Sequence, residues 1–497
     1  MKKRASFAVG LAVALSSISM VYAQETQEIS LPLVAEYGED VQLADTLEST
    51  SVWQAHGYQY ASYLMGIDGT ALTDAKYGSM MGEYGYIVTA KAEGAEGDVN
   101  TSGLLDQSGN EVVPFQYGDV EVLSTRWAIG LVLEEATAEH YDYSSWSGNG
   151  YWLIKQADIY YLPDAKCIAS LDRSSYEDAK VYDDRIKILN RKEQTVNVYD
   201  SQFNPIATDL NSSVLYDDDY FGYTVFADGN NKKGLKDLDG NVVLEPTVYR
   251  TLVRGRQHGY YEAIEHDKYV LLNEDGTVAF PIEYDRIKPY MISRADSDDE
   301  YAYFAYGYAA FVNDDTFKYA DVSGTITGDY SYPDRSITNY GVSALIQDYT
   351  SDTYTLLAAD GVETKLEGYK YVFSIENSDG MYYLVKQDGE GYDIWNGVID
   401  WHGNVVIPCE YEKIIASGDG KYVAVSETYD HGPYKVYELS YPDRDTTEEN
   451  HAPAESTAPA QVESVPESQT ATESQNTPEG LPAEPQSGES QEGFISF

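Results

Sequence analysis

Cysteine is nearly absent from this chain of 497 residues: only Cys167 and Cys409 occur. A disulfide-stapled scaffold is thereby excluded. One bridge would need the two Cα atoms within about 7 Å, which sequence alone does not establish, and the expectation is two separate buried thiols. Basic residues are also scarce, 33 Lys and Arg against 83 Asp and Glu, for a net charge of −50. A nucleic-acid duplex carries one negative charge per roughly 1.7 Å, so such a polyanion has no electrostatic footing on it or on an anionic membrane. Beyond the N-terminus no apolar run approaches the roughly 20 residues that a spanning helix requires. Catalytic signatures are missing as well. None of the seven histidines forms a His-Glu-x-x-His pair, and the serine-elbow, phosphate-loop and dinucleotide-turn motifs have no credible match. The sequence nominates no catalytic residue, no cofactor and no metal ligand.

What is present begins with an export signal. Lys2, Lys3 and Arg4 precede an apolar and small stretch, Ala5 to Val21, and Val21-Tyr22-Ala23 offers small residues for cleavage, so 1–23 reads as a signal peptide. Residues 24–59 form a lead-in that would complete the array described next. Beyond Tyr441 the composition changes. Residues 442–497 hold seven of the seventeen prolines, no tyrosine, and twelve acids against Arg444 alone. Too little apolar surface exists there to offset ordering entropy, which predicts a disordered acidic tail.

Between them, 60–441 repeats. Gly397-Val398-Ile399-Asp400-Trp401-His402-Gly403-Asn404-Val405-Val406-Ile407-Pro408 is matched by Gly103 to Pro114 and by Gly234 to Val243. Taking the turn glycine as origin, a tyrosine lies eight residues on at Tyr77, Tyr117, Tyr284, Tyr332, Tyr369 and Tyr411, and nine on at Tyr249. Asp-x-x-Gly lets the aspartate hold a backbone amide while glycine takes a left-handed conformation, which folds one strand back on another. Pro408 cannot donate to a ladder and is expected at an edge or bulge, ending that pairing. Glycines before aromatic runs, as in Gly85-Tyr86 and Gly307-Tyr308, read as unit ends. Leu162 to Ser170 and Tyr199 to Leu210 read as strands of two degenerate units. Roughly nine units result, each too small for its own core, so neighbours must cover one another through the recurring tyrosines.

The pattern resembles the WG-repeat family, whose units read approximately Trp-Gly-x-Ile-Asp-x-x-Gly-x-Val-Val-Ile-Pro-x-x-Tyr-Asp. The tryptophan of the Trp-Gly pair is largely missing, with Ser102 and Lys233 before the matching glycines and Trp395 displaced by one. The resemblance implies bacterial, often secreted or surface-located proteins. The expected fold is all-β, a repeat of short antiparallel strands in a propeller-like form, with an open array or solenoid as the alternative. Tyr434 to Leu439 would then complete a unit begun by residues 30 to 60, removing exposed edges.

Candidate sites are few. Trp146, Trp152, Trp395 and Trp401 are the ligand-binding candidates, as flat rings able to stack on a sugar or hold a peptide. His258 and His402 read as exposed polar residues. The acid runs Asp217-Asp218-Asp219 and Asp296, Asp298, Asp299 and Glu300 read as solvated loop charge, because Tyr301 stands where a calcium loop needs glycine. The expectation is a monomeric, secreted or envelope-associated, non-enzymatic binding or scaffold protein, recognising a protein or a glycan at the cell surface. The alternatives are a carbohydrate-active enzyme with an acidic pair and a purely structural envelope protein.

Overall fold

The computed structural model describes residues 31–57, 61–91, 100–135, 152–216, 224–237, 240–265, 268–295, 297–333, 337–348, 351, 353–389, 394–429 and 431–442. The expected signal peptide lies outside these residues, as does all but Pro442 of the expected tail.

Each repeat folds from its turn. In the unit ending at Tyr117, Asp106 Oδ1 accepts from the backbone N–H groups of Ser108 and Asn110, both at 2.8 Å, while Gly109 takes φ 80°. Asp400 does the same for His402 and Asn404 at 2.9 Å. Where glycine is missing, another residue bears the left-handed strain: Phe203 at φ 64° after Asp200, and Ala165 at φ 48°. Leu162–Asp164 is a 3-10 turn rather than strand, with Pro163 in its first turn, and the strand resumes at Lys166–Asp172. A second glycine has a different duty. A Cβ on Gly103 would lie 2.8 Å from the Val113 carbonyl oxygen, and one on Gly397 would lie 2.7 Å from that of Ile407. Both sit at a register shift between the third and fourth strands. Pro408 occupies that bulge on the outer strand Val405–Tyr411, which continues past it instead of ending there.

Among the described residues ten such units follow one another, beginning at Leu43, Tyr77, Asp119, Asp178, Thr224, Thr251, Arg286, Ile337, Tyr371 and Lys413. Most are antiparallel meanders of four strands. The first two share a continuous sheet because Tyr77 pairs with Ser62 as the outer strand of unit 1 before the chain, after a register shift, starts unit 2. Gly85 and Gly307 lie between the first and second strands of their units, so they are internal hairpin residues and not unit ends.

Successive units bury the recurring tyrosine. Tyr117 is fully buried, and a Cβ on Gly130 of the next unit would meet its ring at 2.6 Å. Tyr284 packs likewise with Ile287 and Phe311 of the unit that follows. The array also meets its own beginning. Leu33–Tyr37 pairs antiparallel with Tyr434–Glu438 as the fourth strand of unit 10. Unit 10 touches unit 1 as well, Thr46 Oγ1 donating to the Ala416 carbonyl at 2.9 Å and Lys413 Nζ to that of Leu43 at 2.8 Å. The described residues therefore form a propeller-like ring of short antiparallel sheets, in which the first described strand completes the last unit and unit 10 meets unit 1.

One loop crosses this ring. Between the short strands Tyr290–Met291 and Tyr301–Ala302, the chain leaves unit 7 and reaches the loops joining first to second strands in four other units. Ser293 Oγ lies 2.7 Å from Ser49 Oγ in unit 1, and Asp298 Oδ1 accepts from Thr125 N in unit 3 at 2.6 Å. Asp299 Oδ1 accepts from His258 N in unit 6 at 2.8 Å. Arg294 forms an ion pair with Asp379 of unit 9, whose side chain is 3% exposed. The loop caps one end of the ring. Asp298 and Asp299 are thus fasteners between distant units and not solvated charge; Asp296 and the run 217–219 lie outside the described residues.

Candidate functional site

Unit 10 does not cover the whole face that unit 9 turns toward it. Lower down, Val398 and Ile407 of unit 9 pack in one buried cluster with Ala416 and Val423 of unit 10. Elsewhere between them a cleft of about 850 Å³ remains, bounded at one side by Ala44 and Thr46 of unit 1. Strand register explains its wall. Tyr371 stands opposite Lys386, which stands opposite Asn396, and Phe373 stands opposite Leu384, so alternation puts these five on the face directed at unit 10, where Leu384, Lys386 and Asn396 line the cleft. Across from them runs the stretch Glu412 to Ile415 of unit 10, from which Ile414 packs on the cluster shared with unit 9 while Lys413 and Ile415 turn to unit 1; Tyr429 also lines the cleft, as does Glu376 where the first strand of unit 9 has ended.

Lys386, Glu376 and Glu412 line the cleft, as does Lys413, whose Nζ donates to the Leu43 carbonyl of unit 1 at 2.8 Å. The Glu376 carboxyl is raised above the ordinary glutamate range, first by lost hydration and then by Glu48 nearby. Lys386 Nζ lies 5.8 Å from the Phe373 ring centre. Phe373 and Tyr371 are 49% and 40% exposed, their rings stacked at 6.1 Å and 20°. Large aromatic rings left this open, side by side on the first strand of a unit, differ from the buried rungs between units.

The tryptophans are not brought together. Trp395 borders the cleft, but it pairs with Gln387, and alternation directs its side chain to the opposite face from Ile394 and Asn396. Trp401 lies against the His402 ring at 4.0 Å and packs on the buried cluster of units 7 to 10, which makes it a packing residue. Trp152 is half-buried at the start of a strand opposite Glu135. Trp146 lies outside the described residues. The sequence reading missed Lys386, Glu376 and Glu412, which line the cleft and stand at no recurring spacing.

The histidines differ from expectation too. His258 Nδ1 lies 2.6 Å from Asp299 and its ring 4.4 Å from that of Tyr182, while His402 Nε2 lies 2.9 Å from Asp360 of unit 8. Both link units. Cys167 and Cys409 are unbridged; Cys167 is exposed rather than buried, and burial pushes the half-buried Cys409 thiol up to about 12. Among the described residues no group of three or more His, Cys, Asp or Glu gathers to hold a metal ion.

Comparison with known proteins gives distant likenesses in structure and a family match over two short stretches. The chain is similar in structure to a eukaryotic initiation factor, at 10% identity and a TM-score of 0.34 over 74% of this chain and 87% of that one. It is also similar to the WD40 domain of SCAP from fission yeast, at 8% identity and 0.26 over 81% and 96%. Apo AztD from Citrobacter koseri matches at 14% identity and 0.22 over 66% and 86%. No curated protein matches. The model of the WG containing repeat family matches residues 103–124 and 397–426, so the chain carries WG repeats at these two places.

Proposed function

We propose that this protein is a non-enzymatic binding module, secreted or held at the cell envelope, whose ligand occupies the cleft between units 9 and 10. The observation that carries the reading is the cleft itself, about 850 Å³ of space between two sheets that elsewhere pack closely. The export signal read at 1–23 supports the location, and a ring of repeats supplies a rigid frame for a recognition surface. The test is retention on immobilised glycans and peptides by the wild type and by Ala44→Trp, which places an indole in the cleft from unit 1. Retention lost in the variant supports the reading. Equal retention by both, or none by either, contradicts it.

A second reading, a carbohydrate-active enzyme, has one observation in its favour: Glu376 and Glu412 line the same cleft, the former with a raised carboxyl. It predicts release of reducing ends from a polysaccharide, abolished by Glu376→Gln.

A further inference from the structure

We propose that the cleft binds a short extended peptide by its two free ends, the amino terminus at Glu376 and the terminal carboxylate at Lys386; this rests on the binding reading above and names its ligand class. The argument begins with charges that have no counter-charge. Lys386, Glu376 and Glu412 line the cleft, and among the described residues none of the three forms an ion pair. Neighbouring lysines are engaged: Lys370 pairs with Asp388 at 2.7 Å, and Lys413 Nζ donates to the Leu43 carbonyl at 2.8 Å. Lys386 is half-buried and has the Phe373 ring beside it, the ring centre 5.8 Å from its Nζ. A ligand carboxylate brought to this ammonium gains a charge-assisted hydrogen bond that no protein group supplies.

Strand register sets the two ends apart. Tyr371 stands opposite Lys386 and Ser374 opposite Tyr383, and Glu376 follows two residues after Ser374, past the end of the strand. Three residues of strand cover about 10 Å, so the positions that carry the ammonium and the Glu376 carboxylate are separated by about that much or more. One amino acid does not reach across; an extended tetrapeptide, at about 3.3 Å per residue, does. Charge then selects among ligands. An anion would meet Lys386 alone, in a chain at −50 that repels it, and a polycation would meet Lys386 at one end. Opposite charges at opposite ends match both groups. Glu412 is exposed and opposes the ligand carboxylate, since Asn396, the strand partner of Lys386, donates to its backbone carbonyl at 2.8 Å. Between the ends the wall fits a peptide backbone. Asn396 Nδ2 donates to the carbonyls of Tyr411 and Glu412, which leaves its Oδ1 to accept a peptide N–H. Leu384 and Ile394 add apolar surface for side chains.

The experiment is calorimetric titration of the full chain with tetraalanine, its N-acetyl form, its C-terminal amide and cellohexaose. The variants are Glu376→Gln, Lys386→Met and Ala44→Trp. Neither charge is paired, so the first two are expected to leave thermal unfolding unchanged, and that is checked first. The blocked peptides test the proposal on the wild type whatever the variants do. The expected result is saturable binding of tetraalanine, weakened about tenfold or more by blocking either end. Acetylation should cost nothing further in Glu376→Gln, and amidation nothing further in Lys386→Met, as a double-mutant cycle requires of a direct pair. No saturable binding of tetraalanine overturns the proposal, as does binding indifferent to either blocked end. If cellohexaose binds instead and Ala44→Trp blocks it, the cleft reading survives and the peptide assignment falls. Tetraalanine binding that Ala44→Trp leaves intact overturns both.

Discussion

The hydroxyl oxygens of Tyr117 and Tyr160 stand 2.7 Å apart across the seam between units 2 and 3, and Asp158 Oδ2 lies 2.8 Å from the first of them. This contact turns the recurring tyrosine from a hydrophobic rung into a polar bolt. Tyr117→Phe keeps the ring on Gly130 but leaves the buried Asp158 short of a donor, at a cost of about 1–3 kcal/mol. Tyr117→Ala also opens a cavity and costs about 3–5 kcal/mol. Urea unfolding of both variants measures the difference. A Tyr117→Phe variant as stable as the wild type would mean that the hydroxyl contributes nothing.

Two glycines, Gly103 in a strand and Gly229 in a turn, give a contrast. A Cβ on Gly103 would stand 2.8 Å from the Val113 carbonyl oxygen, whereas one on Gly229 would meet nothing within 4 Å. Gly103→Ala is therefore expected to cost about 1–3 kcal/mol by overpacking. Gly229→Ala stays within about 0.5 kcal/mol of the wild type. Chemical denaturation decides, and equal effects would remove the close-approach explanation.

Two acids are expected to respond to pH in opposite senses. The Asp321 carboxyl is held below its usual range, first by the Ser323 hydroxyl and then by the Thr325 N–H. The fold favours its ionised form, so that stabilisation is present above the ordinary aspartate pKa and is lost as pH falls through the lowered one. Asp321→Asn should lower the melting temperature at neutral pH, with the deficit shrinking in strong acid.

Glu121 is raised instead, first by lost hydration and then by Asp119 and Asp178; Glu83 adds to this and Lys180 opposes it. Here the fold favours the neutral form, and stability is lost as pH rises through the raised pKa. Glu121→Gln should raise the melting temperature at neutral pH and leave it unchanged below the ordinary glutamate pKa of about 4.3. Melting curves across the acid range read both effects, and an inverted pattern would contradict them.

The crossing loop depends on a buried charge. Arg294 is 17% exposed and pairs with Asp379 at 3%. Asp379→Ala removes the carboxylate and leaves the guanidinium buried, which is expected to cost about 3–5 kcal/mol. Hydrogen exchange should quicken in the loops around Ser49, Thr125 and His258. If exchange changed only next to residue 379, the loop would not be a fastener.

The fold was legible because its determinants are local. Asp106, Gly109 and Tyr117 lie within one turn and one strand, and their spacing survives from unit to unit. Phe203 and Ala165 hid two turns, since each holds by strain a conformation that sequence assigns to glycine. Gly85 was misassigned to a unit end because a glycine before an aromatic run reads the same at either hairpin. The crossing loop was not legible at all. Asp298 and Asp299 look like solvated charge until Thr125 and His258, far off in the chain, are brought to them. The cleft was hidden for a related reason: whether Leu384 and Lys386 are covered depends on how closely unit 10 approaches unit 9, which no residue spacing records. Trp395 was chosen for its chemistry, while strand alternation decided where its ring would point.

The ring itself is tested most directly by joining its ends. Glu36 stands opposite Lys435 where the first described strand pairs with the last of unit 10. In a chain with Cys167 and Cys409 replaced by serine, Glu36→Cys with Lys435→Cys should oxidise to a bond linking the peptides that carry the two positions, as read by mass spectrometry. Two thiols that stay unlinked under oxidation, in a protein that still melts cooperatively, would mean that the array does not close.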